Sequence, residues 1–170
     1  MVCIEKLKTD YPDVFNGKSL LYIGATPSRW LDFLDIFNMA KWSPTVLELD
    51  KENVNDLKKL NLDVIEGDVR GIEKLVGKKS FDVVMWEDGP EHIYKEEFDR
   101  VIPQLLNVAN RYVIMEAPEG IRGHDLLAPL LERQLSGIYL NTFDKYGIKS
   151  FLLPQEHKPN DFRVFSIGVL

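Results

Sequence analysis

Short apolar runs alternate along this chain with segments whose apolar residues recur at helical spacing. Each run is rich in β-branched or aromatic residues and apolar at successive positions, which is typical of strands covered on both faces. Alternation of strands and helices favours a parallel sheet with right-handed crossovers. The strands predicted in this way are Leu20–Gly24, Val46–Asp50, Asp63–Asp68, Phe81–Trp86 and Tyr112–Ala117.

Helices are predicted between these strands from caps and apolar stripes. Thr26 is a suitable N-cap and Pro27 suits a first helical position. Pro103 lies inside the longest stripe and is expected to bend that helix. A leading helix is expected to break at Pro12. The predicted helices are Ile4–Phe15, Pro27–Met39, Lys51–Leu60, Glu96–Ala109 and Leu126–Leu135, the last of them stopped by Gly137.

The end of the chain departs from this alternation. Gly147–Leu153 and Phe162–Leu170 are strand-like, and the segment Pro154–Asp161 between them fits no helix. Two adjacent strands without a crossover helix predict an antiparallel hairpin added to the parallel sheet.

Length and charge narrow the class of protein. The chain has 170 residues, which predicts a single domain over 1–170, with residues 1–17 as a leading helix or cover segment. The net charge of −6 disfavours a surface built for nucleic acid. The single cysteine, Cys3, and the absence of a signal-like or membrane-spanning apolar run favour a cytoplasmic protein without membrane contact.

Two strand ends carry candidate ligand-binding residues. The first strand ends at Gly24, and the second ends in Glu48-Leu49-Asp50. A carboxylate at the end of a second parallel strand can accept hydrogen bonds from both hydroxyls of a ribose. This arrangement indicates a nucleoside-containing cofactor, although Gly24 also suits a purely structural turn and Asp50 suits the cap of the next helix.

Parallel strands followed by an antiparallel pair resemble the class I S-adenosylmethionine-dependent methyltransferase fold, from about Lys18 to Leu170. The resemblance implies an α/β, doubly wound, mostly parallel seven-stranded sheet of order 3-2-1-4-5-7-6. It also implies helices on both faces and a C-terminal antiparallel hairpin, with S-adenosylmethionine as cofactor and S-adenosylhomocysteine as product.

The resemblance also implies roles for individual residues. The stretch Tyr22–Ser28 is similar to the family's first motif, which wraps the methionine part of the cofactor and usually has two or three glycines. This chain keeps only one, in Gly24-Ala25-Thr26. Glu48, with Leu49 beside it, occupies the position of the ribose-binding acid. The matching third-strand positions are Asp68, for the adenine amino group, and Val69, for the ring; Asp68 alone is also ordinary turn chemistry.

The fourth-strand motif extends from Phe81 to Tyr94, where the family brings substrate and methyl group together. Its Glu-His-Ile ending is similar to that of many small-molecule methyltransferases, whereas its Asp-Gly…His-Ile-Tyr spacing resembles an O-methyltransferase motif with one extra residue. His92 is the candidate general base, because its ordinary pKa lies near neutral. Glu87 and Asp88 are candidates to orient a substrate, and Glu87 also to contact the cofactor. A local structural role for His92 is an equal alternative.

Glu87, Asp88, Glu91, His92 and Glu116 also suggest a possible metal site, since oxygen ligands suit magnesium or calcium. Their spacing matches no dedicated metal loop, and no metal is predicted.

The sequence therefore predicts a methyltransferase acting on an O or N nucleophile, most simply of a small molecule. The alternative is a non-catalytic Rossmann-like module that binds a nucleoside or a protein partner. An oxidoreductase is disfavoured because Gly-x-Gly-x-x-Gly is absent, and a phosphate-loop NTPase is excluded because no Gly-Lys-Ser/Thr follows a strand. With no inserted lid evident, a homodimer is one way to cover the site.

Overall fold

A computed structural model describes residues 4–30, 41–120, 135–155 and 158–170. Within these residues, seven strands form one sheet in the order β3-β2-β1-β4-β5-β7-β6. The strands are β1 (Ser19–Ile23), β2 (Ser43–Glu48), β3 (Asp63–Glu66), β4 (Phe81–Glu87), β5 (Ala109–Pro118), β6 (Lys149–Gln155) and β7 (Lys158–Val169). The helical segments in the described residues are α1 (Ile4–Asp10), α2 (residues 27–30), α3 (Lys51–Lys59), α4 (Ile72–Val76) and α5 (Phe98–Val108).

Strand pairing confirms the predicted sheet. β1 is parallel to both β2 and β4, and the parallel pairing continues to β3 on one side and β5 on the other. β7 is antiparallel to both β5 and β6, so the predicted C-terminal hairpin is also confirmed. No helix in the described residues is long and apolar enough to cross a membrane.

Each face of the sheet has its own hydrophobic layer, because successive strand residues point to opposite faces. Leu21 and Ile23 of β1 are buried on the face covered by α4 and α5. Leu20 and Tyr22 are buried on the opposite face, which is covered by α1, α2 and α3. Helices on both faces explain why the central strands are continuously apolar and why their alternation is lost from the sequence.

The N-terminal segment belongs to the second of these layers. α1 ends at Asp10, before Pro12, as the sequence predicted, and a short 3₁₀ turn follows over Pro12–Asn16. Ile4, Leu7 and Val14 are buried in the same hydrophobic cluster as strand β1. This segment therefore packs against one face of the sheet through apolar contacts.

Two features differ from the sequence predictions. The segment Pro154–Asp161, which the sequence placed between the last two strands, is largely part of those strands. Pro154 of β6 pairs with Phe162 of β7, and after a shift in register Gln155 pairs with Lys158. The sequence reading also missed α4, a five-residue helix too short to show an amphipathic period. The predicted helix Leu126–Leu135 lies, apart from its last residue, outside the described residues, as does the remainder of Pro27–Met39.

Asp50 caps helix α3. Its Oδ1 accepts hydrogen bonds from the backbone N–H groups of Glu52 at 2.9 Å and Asn53 at 3.0 Å. These are amide groups at the start of the helix that have no partner within the helix itself. The helix-capping interpretation of Asp50 is therefore confirmed.

We predict that Asp50→Ala lowers the free energy of unfolding by about 1 kcal/mol, since an N-cap is lost. Urea unfolding at neutral pH measures this. The backbone N–H of Asp50 would remain available to Glu48, so ligand binding should be retained. Asp56→Ala, on the exposed side of the same helix, is the control and should change stability by less. Equal effects of the two substitutions would contradict a capping role.

Candidate functional site

The sheet has a topological switch point between β1 and β4. From β1 the chain moves outward to β2 and β3, and it then returns to place β4 on the other side of β1. In doubly wound sheets, ligands bind at the carboxyl ends of the strands flanking such a point. The predicted site residues follow β1, β2, β3 and β4 and so belong to this edge of the sheet.

Gly24 forms the turn that leaves β1. Its φ of +75° lies in the left-handed region, which favours glycine, and its N–H donates a hydrogen bond of 2.9 Å to the Leu47 carbonyl. A Cβ added at Gly24 would meet nothing within 4 Å. The turn therefore needs glycine for its backbone conformation and borders open space, which leaves room for a ligand.

Helix α2 begins directly after this turn. Thr26 caps it, because the Arg29 N–H donates to Thr26 Oγ1 at 3.4 Å and the Trp30 N–H donates to the Thr26 carbonyl at 2.9 Å. Ala25 is fully buried between the turn and the helix. The predicted cap at Thr26 and helix start at Pro27 are both confirmed.

Glu48 ends β2 with a buried carboxylate. Its Oε1 accepts a hydrogen bond of 2.8 Å from the backbone N–H of Asp50, and its backbone carbonyl accepts one of 2.9 Å from Gly67. Burial raises the pKa of Glu48, and the hydrogen bond from Asp50 opposes that rise. The side chain is thus held in one orientation at the strand end, while the neighbouring Leu49 side chain is exposed.

Asp68, after β3, has local partners. Its carboxylate accepts from the Arg70 backbone N–H at 2.8 Å and from the Arg70 side-chain Nη1 at 3.1 Å, and it caps the 3₁₀ turn Val69–Gly71. Arg70 also donates to both carboxylate oxygens of Glu97. The turn chemistry that the sequence left open as an alternative is present at Asp68, and Val69 is buried beneath it. Contact of either residue with adenine stays a prediction.

Four carboxyl groups lie together at the ends of β4 and β5, and we call them the acidic cluster: Glu87, Asp88, Glu91 and Glu116. Glu87 and Glu116 are in register on neighbouring strands. The Tyr22 hydroxyl of β1 donates a hydrogen bond of 2.7 Å to Glu87 Oε2. Burial, followed by the charge of Glu116, raises the pKa of Glu87.

Two arginine side chains enter the acidic cluster. Arg163 of β7 makes ion pairs with Asp88 and, from Nε to Oε1 over 2.6 Å, with Glu116. Arg29 of α2 places Nη2 at 2.6 Å from Asp88 Oδ2. Charges of opposite sign this close, and partly buried, stabilise each other more than surface pairs do. Asp88 is therefore held from both sides of the switch point.

The turn after β4 has a constrained backbone. Asp88 has a φ of +47°, and its N–H donates a hydrogen bond of 2.8 Å to the Glu116 carbonyl. A Cβ at Gly89 would lie 1.7 Å from Trp86 Nε1, so only glycine fits against this indole ring. The sequence pattern did not reveal this requirement, which comes from tertiary packing.

Glu91 follows this turn, and the sequence indicated it only as part of a possible metal site. Its side chain is 3% exposed, and its Oε2 has no hydrogen-bond partner within the described part of the chain. Burial raises the pKa of Glu91 to about 8, with a further contribution from the charge of Asp88, against the opposing charges of Arg163 and Arg29. Only the folded chain shows this burial, since the sequence places Glu91 among several acids without indicating which of them is buried.

His92 lies at the edge of the acidic cluster. Its Nε2 is 3.9 Å from Glu91 Oε1, and its side chain is 30% exposed. Its backbone N–H donates to the Gly89 carbonyl at 2.9 Å, which is the local role considered for it. The structure thus brings Glu87 and Asp88 into one cluster, with His92 adjoining it. Among the described residues, no three His, Cys, Asp or Glu side chains are arranged to hold a metal ion.

We predict that Glu91→Gln gains stability relative to the parent as pH rises from 5 to 8. Glu91 binds its proton more tightly in the folded chain, where the pKa is about 8, than in the unfolded chain, where it is near 4.5. Between these values the unfolded state releases the proton first, so the stability that the proton provides falls with rising pH. Urea unfolding of both proteins across this range measures the difference. A constant difference in stability would contradict the assignment.

The fold, rather than the sequence, relates this chain to known proteins. No protein-family model matches the sequence, and no curated protein matches it. Many solved structures do match. A SAM-dependent methyltransferase from Archaeoglobus fulgidus is 12% identical with a TM-score of 0.69, over 97% of this chain and 92% of that one.

Two further structures are similar to the same extent. The methyltransferase domain of bacterial CtHen1-CN is 11% identical with a TM-score of 0.66, over 98% of this chain and 97% of that one. The N-terminal domain of EvdMO1, described in the presence of SAH and D-fucose, is 12% identical with a TM-score of 0.66, over 99% and 83% of the two chains. The chain therefore has the Rossmann-like fold of class I S-adenosylmethionine-dependent methyltransferases.

Proposed function

We propose that this protein is an S-adenosylmethionine-dependent methyltransferase that acts on an O or N nucleophile of a small molecule. The observation that carries the proposal is the buried carboxylate of Glu48 at the end of β2, beside the Gly24 turn that ends β1. In this fold, that pair of positions suits a ribose and the group attached to it. The fold of the similar structures supports the same conclusion.

The residues at this edge fit such a cofactor. Gly24 borders open space, and Glu48 offers carboxylate oxygens that can accept hydrogen bonds from ribose hydroxyls. The proposed cofactor contacts are Gly24, Ala25, Thr26, Glu48, Leu49, Asp68, Val69 and Glu87. Because Asp68 is engaged by Arg70, its contact with adenine would need to share or replace that ion pair.

In methyl transfer, the residues of this chain would orient the acceptor and take up the proton that it loses. When bound, the sulfonium cofactor supplies an activated methyl group, and the protein must align the acceptor with it. Asp88, fixed by two arginines, would orient the acceptor together with Glu87. His92, partly exposed at the edge of the acidic cluster, would accept the proton that the acceptor loses.

A small-molecule acceptor agrees with the charge of the chain. The net charge of −6 and the acidic cluster would repel a nucleic-acid backbone. An amine or hydroxyl carried by a small molecule meets no such repulsion. A second copy of the chain remains a proposed way to cover the site.

The second candidate is a non-catalytic module that binds a nucleoside or a protein partner. The feature that favours it is the turn after β1, which has one glycine, Gly24, where the resembling family usually has two or three. Binding measurements separate the two candidates at the first step.

We predict that Glu48→Ala weakens binding of both S-adenosylmethionine and S-adenosylhomocysteine by about tenfold or more, because hydrogen bonds to a charged acceptor contribute about 1.5–3 kcal/mol each. Calorimetric titration measures this. Glu52→Ala, exposed on α3, is the matched control and should bind like the parent. Parent-like binding by Glu48→Ala would place the ribose elsewhere. No binding by the parent would favour the non-catalytic module.

We predict that His92→Ala binds the cofactor normally but transfers methyl groups more slowly, by about 100-fold, as loss of a general base implies. The assay follows labelled methyl groups from S-adenosylmethionine to a panel of amine and hydroxyl acceptors. Undiminished turnover would remove His92 from the mechanism and leave its local structural role.

A further inference from the structure

The acidic cluster contains more carboxyl groups than its arginines neutralise. In the described residues, Arg29 pairs with Asp88, and Arg163 pairs with Asp88 and Glu116. Within the described residues, these ion pairs leave two of the four carboxyl groups without an arginine partner. One of them, Glu87, accepts a hydrogen bond from the neutral Tyr22 hydroxyl. The other is Glu91.

The environment of Glu91 distinguishes this cluster from acids that simply lie at neighbouring strand ends. It is buried, its Oε2 has no hydrogen-bond partner within the described residues, and the charges that act on it are those of Asp88 and of the two arginines, Arg29 and Arg163. Buried polar atoms without partners are rare in folded proteins, because burial removes their hydrogen bonds to water. An unpartnered buried carboxyl oxygen within an acidic cluster therefore indicates a partner that arrives with a ligand.

We propose that the acidic cluster is a receptor for a positively charged group of a small ligand, and that Glu91 ionises when this group arrives. The excess of carboxyl groups favours a cationic ligand. Glu91 Oε2, which has no hydrogen-bond partner among the described residues, is the atom that would contact it. The ligand chemistry is a sulfonium or ammonium centre. If the proposed function is right, this centre belongs to S-adenosylmethionine or to an amine-bearing methyl acceptor.

The proton balance of this step follows from the groups that face Glu91. Asp88 favours the protonated form of Glu91, whereas Arg29 and Arg163 favour the ionised form. His92 Nε2 lies 3.9 Å away, and it would oppose the protonated form only when it is itself charged. With the ligand absent, Glu91 holds its proton at neutral pH. A bound cation supplies the missing positive charge, the carboxyl O–H bond breaks, and the proton passes to the solvent.

Proton release on binding tests this proposal. Calorimetric titrations at pH 7 in phosphate and in Tris report the number of protons released, because the two buffers take up protons with different heats. The ligands are S-adenosylmethionine, S-adenosylhomocysteine and ethylammonium chloride, and the proteins are the parent, Glu91→Gln and the control Glu5→Gln. Glu5 is exposed on α1, away from the cluster. We expect release of about one proton from the parent and the control, and none from Glu91→Gln.

The choice of ligand identifies the source of the positive charge. Release with S-adenosylmethionine alone assigns the sulfonium, since S-adenosylhomocysteine differs from it only by the loss of the methyl group and, with it, of the positive charge on sulfur. Release with both assigns their shared ammonium group. Release with ethylammonium, added alone or after S-adenosylhomocysteine, assigns an amine acceptor. Each of these results supports the proposed cation receptor, provided that Glu91→Gln abolishes the proton release.

Two results would overturn the proposal: binding of all three ligands without proton release, or equal release from the parent and Glu91→Gln. Failure of both adenosyl ligands to bind would refute the proposed function. The ethylammonium titration would then be the remaining test of the cation receptor, and the absence of proton release in that titration would overturn the receptor as well. If Glu91→Gln does not fold, the infrared absorption of a protonated carboxyl group in the parent replaces it. That absorption should be present without ligand and lost on binding, and its absence at pH 7 would overturn the proposal.

Discussion

The ion pairs of Arg163 hold together the part of the molecule on which the site depends. Arg163 lies on β7 and reaches Asp88 after β4 and Glu116 on β5. The C-terminal hairpin is thereby connected to the turn that carries the candidate catalytic residues. Because Arg163 is itself buried, breaking these pairs would leave buried charges uncompensated, which is among the most destabilising changes in a protein interior. The antiparallel hairpin thus contributes to the candidate functional site as well as to the sheet.

The parallel half of the sheet provides a different kind of support. β1 and β2 end side by side, and the Gly24 N–H bonds to the Leu47 carbonyl, so the first turn is tied to the second strand. Glu48 follows at the end of that strand and is oriented by the backbone of Asp50. The proposed cofactor side of the site therefore depends mainly on backbone hydrogen bonds. The proposed acceptor side, by contrast, depends on buried charge.

The backbone of the turn after β1 explains why this turn needs only one glycine. Only Gly24 has a positive φ in this turn, and the space beside it is open, so further glycines are not needed for the backbone to follow its path. A second strict glycine requirement occurs instead at Gly89, where the Trp86 indole lies too close for any side chain. Among the described glycines, the closest contact to an added Cβ lies in the turn after β4, next to the acidic cluster.

The sequence by itself determined the strands, most of the helices, the sheet order through its resemblance to a known fold, and the caps at Thr26 and Asp50. These features depend on local spacing and on residue types with strong backbone preferences, which a linear pattern records. It did not determine helix α4, which is too short to show a period, or the extension of the hairpin strands past Pro154. Only the tertiary structure decided that the buried Glu91 has an Oε2 without a hydrogen-bond partner among the described residues, and that Arg29 and Arg163 meet at Asp88. These contacts join residues far apart in the chain, and burial and long-range charge pairing arise only when the sheet brings their strand ends together.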